Sequence, residues 1–275
     1  LIIIIGLFST KVEKSYPEFM INLNDEPLYK FIIHLSFLGT NFSGWQIQNN
    51  SKTIQGVIMG ALNHLLDEDI PLIVGAGRTD AGVHAINFVA HFELVNSDLD
   101  TNKLTCHLNR YLPENIVIHN IQSVSSDFHA RYSAISRKYE YWLSTTKDPF
   151  LINRSYSFFK ELDLELMNSA ANILLGQKNC RAFSKSKNKN NICDIKSAYW
   201  FKSKNMLIFS IESNRFLYNM VRCIVGTLMD VGLRKINLDE FSNILESQNR
   251  KNAGFSVPAH GLYLVEIKYP KKFIL

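Results

Sequence analysis

The feature that most narrows what this chain can fold into is a succession of hydrophobic periods that runs through the same order twice. In the first half, YKFIIHLSF (29–37) reads as a strand and GTNFSGWQIQNNSK (39–52) as a loop. Ile54, Val57, Ile58, Ala61, Leu62, Leu65 and Leu66 then recur at helical spacing, with Thr53 as a natural N-cap. AINFVAHFEL (85–94) sets Ile86, Phe88, Ala90, Phe92 and Leu94 against Ala85, Asn87, Val89, His91 and Glu93, which predicts a half-buried strand. The second round begins near Arg137 with KYEYWLS (138–144). Asp163 opens a helix striped by Leu166, Met167, Ala170, Ala171, Leu174 and Leu175 and closed by Gly176. Two strand-like runs, DIKSAYWFK (194–202) and MLIFSIE (206–212), lead to a third helix over FLYNMVRCIVGTLMDVG (216–232), and LYLVEIKY (262–269) is the last strand. Strand, helix and strand in each half predict an α+β fold: two similar halves share a largely antiparallel sheet, with helices on one face and a cleft between the halves.

The 275 residues are 46% hydrophobic and 20% charged, which supplies a core and excludes a mainly disordered chain. Thirty Lys and Arg against 25 Asp and Glu leave a net charge of +5, compatible with a polyanionic partner without demonstrating one. Cys106, Cys180, Cys193 and Cys223 form no C-x-x-C pair and read as reduced thiols of a cytosolic protein. The opening LIIIIGLF is too short to span a bilayer and lacks the basic lead-in of a signal peptide. Because Met20 stands just before the regular pattern begins, residues 1–28 read as an appended extension or as a start-site artefact. KSKNKNN (185–191) reads as a flexible surface loop, with phosphate contact as its alternative.

Chemistry concentrates in GAGRTDAGVHA (75–85), a charged turn held between apolar runs. The third glycine of a dinucleotide fingerprint would fall on Asp80, and a strand follows rather than a helix, so that reading is discarded. Asp80, His84 and His91 lack a metal-site spacing, and a structural ion pair within the turn is the stronger alternative. Arg222 falls about 120° from the centre of the stripe formed by Leu217, Met220, Val221, Ile224, Val225 and Leu228, where it can reach over the core edge into a cleft. FHARYSAISRKYEY (128–141) interleaves Arg131, Arg137 and Lys138 with Tyr132, Tyr139 and Tyr141. Cations that hold phosphates and rings that stack on bases suit an unpaired nucleotide, though a basic strand edge has the same composition.

Taken in order, GRTDAGVHA (77–85), FHARYSA with RKYEY (128–141), FLYNMVRCIVGTL (216–228) and PAHGLYL (258–264) closely resemble the tRNA pseudouridine synthase A family, with GWQIQ (44–48) and LNRYLPENI (108–116) also fitting. The resemblance spans about Tyr29 to Tyr269. It implies two ferredoxin-like halves, 29–133 and 134–275, sharing a mixed sheet with a cleft along its middle. It also implies isomerisation of uridine to pseudouridine at positions 38, 39 and 40 of tRNA anticodon stem-loops, by a cytoplasmic homodimer without cofactor, metal or membrane. On the matching motifs, Asp80 is the catalytic carboxylate, Arg78 its neighbour, Tyr139 the active-site aromatic and Arg222 the basic partner. Phe128, His129, Arg131, Lys138 and Tyr218 are expected to bind substrate. Arg222 is expected to keep Asp80 ionised by lowering its pKa. Whether Asp80 attacks sugar or base or removes a proton stays open, and a tRNA-binding protein or RNA chaperone of the same fold is the alternative to an enzyme. Phe37-Leu38-Gly39 stands where the family usually carries Tyr-Asp-Gly.

Overall fold

The computed structural model describes residues 28–66, 72–95, 98–185 and 190–273. The apolar start, Met20 and positions 186–189 of the basic loop lie outside these residues. The first half runs β1 (Tyr29–Phe37), α1 (Ile54–Leu66), β2 (Val74–Gly75), β3 (His84–Leu94), α2 (Thr101–Tyr111) and β4 (Ile116–Val124). The second runs β5 (Ser136–Ser144), β6 (Tyr156–Ser157), α3 (Leu164–Ile173), β7 (Gly176–Asn179), β8 (Ile192–Ser203), β9 (Met206–Ser213), α4 (Met220–Gly232), α5 (Leu238–Ser247) and β10 (Leu262–Lys268). Among the described residues all ten strands join one sheet, whose main path is β4-β1-β3-β10-β5-β9-β8-β7.

Within each half the main path is antiparallel, with the short β6 parallel to β5, and the halves meet where β10 lies parallel to β3, with Tyr263 beside His84 and Leu264 beside Ala85. On its other edge β10 runs antiparallel to β5. Helix caps follow from sequence: the Thr53 hydroxyl accepts from the Gly56 N–H, the Asp163 carboxylate from Leu166, and Asn237 and Glu240 form a capping box. Gly176 stands beyond the end of α3 at the start of β7. The third predicted helix begins at Met220 rather than Phe216, because Asn219 adopts φ +63° and the residues before it form a loop.

Two hydrophobic clusters lie under the helices. Phe31, Ile33, Leu35, Phe88 and Phe92 pack with α1 and α2, whereas Tyr141, Leu143, Phe209 and Ile211 pack with α3, α4 and α5. Leu262 belongs to one cluster and Leu264 to the other; two residues apart on one strand, they put all five helices on the same face. On the back face, Ile32 and Val89 are sealed by Ala76, Phe128, Ala130 and Phe273. That second cover corrects the half-buried expectation for β3: Val89 and His91 are buried as well as Phe88 and Phe92, while Ile86 is exposed. Phe88 is wholly buried, 4.2 Å from the Trp45 ring and 5.4 Å from Phe37. Phe88→Ala should therefore lose about 3–5 kcal/mol of stability, read as a lower urea midpoint at unchanged slope.

Candidate active site

The loop between β2 and β3 is fixed by backbone geometry that glycines permit. Gly82 holds φ +80°, and Gly44 holds φ +87° with its α-carbon against the Thr79 carbonyl, where a side chain has no room. The Trp45 N–H donates to Thr79 O (3.2 Å), Gly82 N–H to Phe42 O (3.3 Å) and Val83 N–H to Asp80 O (3.2 Å). His84 closes the base of the loop: Gly39 N–H donates to its Nδ1 (3.0 Å), and its Nε2 lies 3.1 Å from the carbonyls of Asn153 and His260. Both ring nitrogens are thus engaged by backbone, and burial holds the imidazole neutral by lowering its pKa. The His91 Nδ1 accepts from Ala130 N–H (3.1 Å), and burial lowers that ring to about 3. These are structural histidines, each satisfied away from Asp80.

Asp80 faces the second half of the chain. Arg222, on α4, brings Nη1 to 3.5 Å from Asp80 Oδ2, while its Nε donates to the Val257 carbonyl at 2.7 Å. Val257 returns its own N–H to the Arg222 carbonyl (3.2 Å), so the arginine is held at both ends. Burial raises the Asp80 carboxyl above its ordinary value; Arg222 and then Lys185 pull it back without cancelling the rise. The expected sign for Arg222 holds, but the expected net lowering does not, because desolvation is the larger effect. Tyr139, on β5, meets Phe216 edge-on at 5.0 Å, and burial pushes its phenol up to about 12, where it stays protonated at neutral pH.

Asp80, Arg222 and Tyr139 line one cleft of about 690 Å³ together with Arg78, Arg131, Tyr132, Arg137 and Tyr218. Its size lies within the ordinary range of ligand clefts, about 300–1,000 Å³. Arg78 is exposed at its edge, and Arg131 lies over the exposed Tyr132 ring at 5.7 Å. The other expected binding residues stand elsewhere. Phe128 is wholly buried behind the sheet, against Tyr269 (5.2 Å) and Phe273 (5.3 Å). His129 supports the rim, its Nδ1 accepting from the N–H groups of Arg131 (3.1 Å) and Tyr132 (3.2 Å). Lys138 is one residue from Tyr139 on a strand, so it points to the opposite face. Arg137, two residues away, shares the face of Tyr139 and lines the cleft, as do Arg215 and Phe216. Strand parity, applied outward from Tyr139, separates Arg137 from Lys138 in the sequence itself.

The motif-level resemblance has a counterpart over most of the chain. A family model described as tRNA pseudouridine synthase matches residues 33–133 and again 170–270, one segment in each half. The tRNA pseudouridine synthase A of Bacteroides fragilis is 43% identical over 246 residues, covering 88% of this chain and 97% of that protein. Its namesake in Porphyromonas gingivalis is 43% identical over 251 residues (90% and 99%), and that of Acetivibrio thermocellus 44% over 239 (86% and 97%). Near-complete coverage in both directions, and a family match that returns in each half of the sheet, place this chain in the tRNA pseudouridine synthase family of isomerases.

Proposed function

We propose that the cleft isomerises uridine to pseudouridine at positions 38, 39 and 40 of the tRNA anticodon stem-loop, with Asp80 as its catalytic carboxylate. The observation that carries this reading is the meeting of Asp80 from one half with Arg222 from the other, beside Tyr139 in a cleft with room for a nucleotide. In the reaction the N1–C1′ bond breaks, C1′ rejoins at C5, C5 loses its proton and N1 gains one. Asp80 in its ionised form opens the linkage, and Arg222 holds that charge in a partly desolvated site. Tyr139 stacks on the uracil, and its hydroxyl relays the C5 proton as a phenol rather than as a phenolate. C5 is closed off inside a stacked stem, so the nucleotide enters flipped out, with Arg78 at the mouth of the cleft. Arg131, Tyr132 and Tyr218 receive the flanking RNA by charge and ring stacking. We further take the enzyme to be a cytoplasmic homodimer with halves 29–133 and 134–275; among the described residues no helix is long and apolar enough to cross a membrane.

Tritium release from tRNA carrying C5-tritiated uridine tests the reading. Release by the native protein supports it; stoichiometric tRNA binding without release would leave an RNA-binding protein of the same fold. The far face of β5 gives a second expectation. Arg131→Gln should weaken tRNA binding and lower the slope of log K against log salt by about 1, whereas Lys138→Gln should leave both unchanged. A reduced slope for Lys138→Gln would move the RNA path onto the back of the sheet.

A further inference from the structure

Three loops rim the cleft, and each sends a backbone carbonyl to Arg137. Its Nη1 donates to Asn214 O (3.1 Å) and Ala134 O (3.4 Å), and its Nη2 to Ala76 O (3.0 Å) and Arg131 O. Ala76 leads into the segment that bears Arg78 and Asp80, Arg131 and Ala134 bracket Tyr132, and Asn214 leads into Arg215, Phe216 and Tyr218. These segments are far apart in sequence and belong to both halves. A guanidinium suits the task because its donors lie in one rigid plane and it remains charged even where burial lowers its pKa. Its partners are carbonyl dipoles, which satisfy the donors without neutralising the charge.

We propose that Arg137 is a positioning residue, whose guanidinium sets the three rim loops in one frame so that Asp80 and the Phe216–Tyr218 segment stand in register over Tyr139. The proposal rests on the isomerase reading of the cleft and assigns it a second task, alignment across the two halves. Arg137 itself has its Nη donors committed to backbone, so it acts through the loops rather than on the nucleotide.

Arg137→Lys and Arg137→Met separate geometry from charge. Lysine keeps the charge but offers a compact ammonium in place of a planar fork; methionine keeps the apolar stem and removes charge and donors together. Both variants should lose at least about tenfold in kcat for tritium release, since small misplacements of reacting groups are costly. Because Arg137 does not touch the RNA, the salt slope of tRNA binding should stay near native in both variants. Amide exchange should quicken in 76–82, 130–135 and 214–219 of both variants, with native rates in β1, β3 and β9 and thermal midpoints near native. A native kcat in Arg137→Lys would overturn the proposal. So would faster exchange throughout the sheet with a large drop in midpoint, which would make Arg137 a general support of the fold. Failure of the native enzyme to release tritium would sink the isomerase reading separately, while the exchange pattern would still report the anchoring.

Discussion

Asp80→Asn is expected to lower tritium release by at least about 10⁴-fold while tRNA binding stays within a few-fold of native. The amide has the shape of the carboxylate but neither its charge nor its basicity, so a group that acts on the reacting atoms loses its function and one that braces the loop does not. Stability supplies an independent check. The folded protein holds the Asp80 proton to a higher pH than the unfolded chain does, because burial raises the carboxyl above its ordinary 3.8. For an acid of raised pKa the folded state binds more protons, so stability falls as pH climbs through that interval and the ionised group is a net cost at neutral pH. Asparagine carries no such cost. The thermal midpoint of Asp80→Asn at pH 7 should therefore equal or exceed that of the native protein. A lowered midpoint with activity lost in proportion would make Asp80 a structural residue of the turn.

Where local chemistry decides an element, the sequence predicts it closely. The apolar period of 29–37 becomes β1 over the same residues, and Thr53 and Asp163 cap the helices that they were expected to open. Predictions fail where distant chain supplies the deciding contact. Alternation in β3 implies one wet face, but the 128–130 segment and Phe273, far away in sequence, cover it. The helix predicted over 216–232 takes in Phe216, Leu217 and Tyr218, yet Asn219 turns the chain and leaves Phe216 and Tyr218 in the wall of the cleft. The parallel seam between β10 and β3 pairs His84 with Tyr263, 179 positions apart along the chain, and no local period encodes it.

The site divides along the same line. Asp80, Arg222 and Tyr139 come from separate motifs and meet in the structure, as do Arg78, Arg131 and Tyr218 along the cleft. Phe128 and His129 share a motif with Arg131 but not its exposure: one fills the back core and the other braces the rim. Adjacency in a motif does not make residues neighbours in a site. Arg137 lines the cleft and Lys138 does not for a reason visible in the sequence, the two-residue period of a strand. The net pKa of Asp80 needed the fold, because the cation opposite it can be named from a motif while the depth at which both are buried cannot.

Tyr139→Phe should reduce tritium release by about 10²–10⁴-fold with tRNA affinity little changed. Phenylalanine keeps the ring that meets Phe216 edge-on and removes only the hydroxyl, so the loss isolates proton handling from stacking. The pH profile then decides the form in which the hydroxyl works. Activity requires ionised Asp80, so the rate should fall on acidification through a value above the ordinary 3.8, the direction set by burial. On the alkaline side the phenol, pushed up to about 12, gains almost no phenolate between neutrality and mild alkali. If Tyr139 passes the C5 proton as a neutral relay, the native rate is flat from about pH 7 to 9. A phenolate base would instead give a rate climbing about tenfold for each pH unit across that range, because its active fraction rises by that factor so far below the pKa. A climbing rate that disappears in Tyr139→Phe would replace the relay with a true base. A native rate in Tyr139→Phe would leave the ring as a stacking platform and move C5 deprotonation to another group in the cleft.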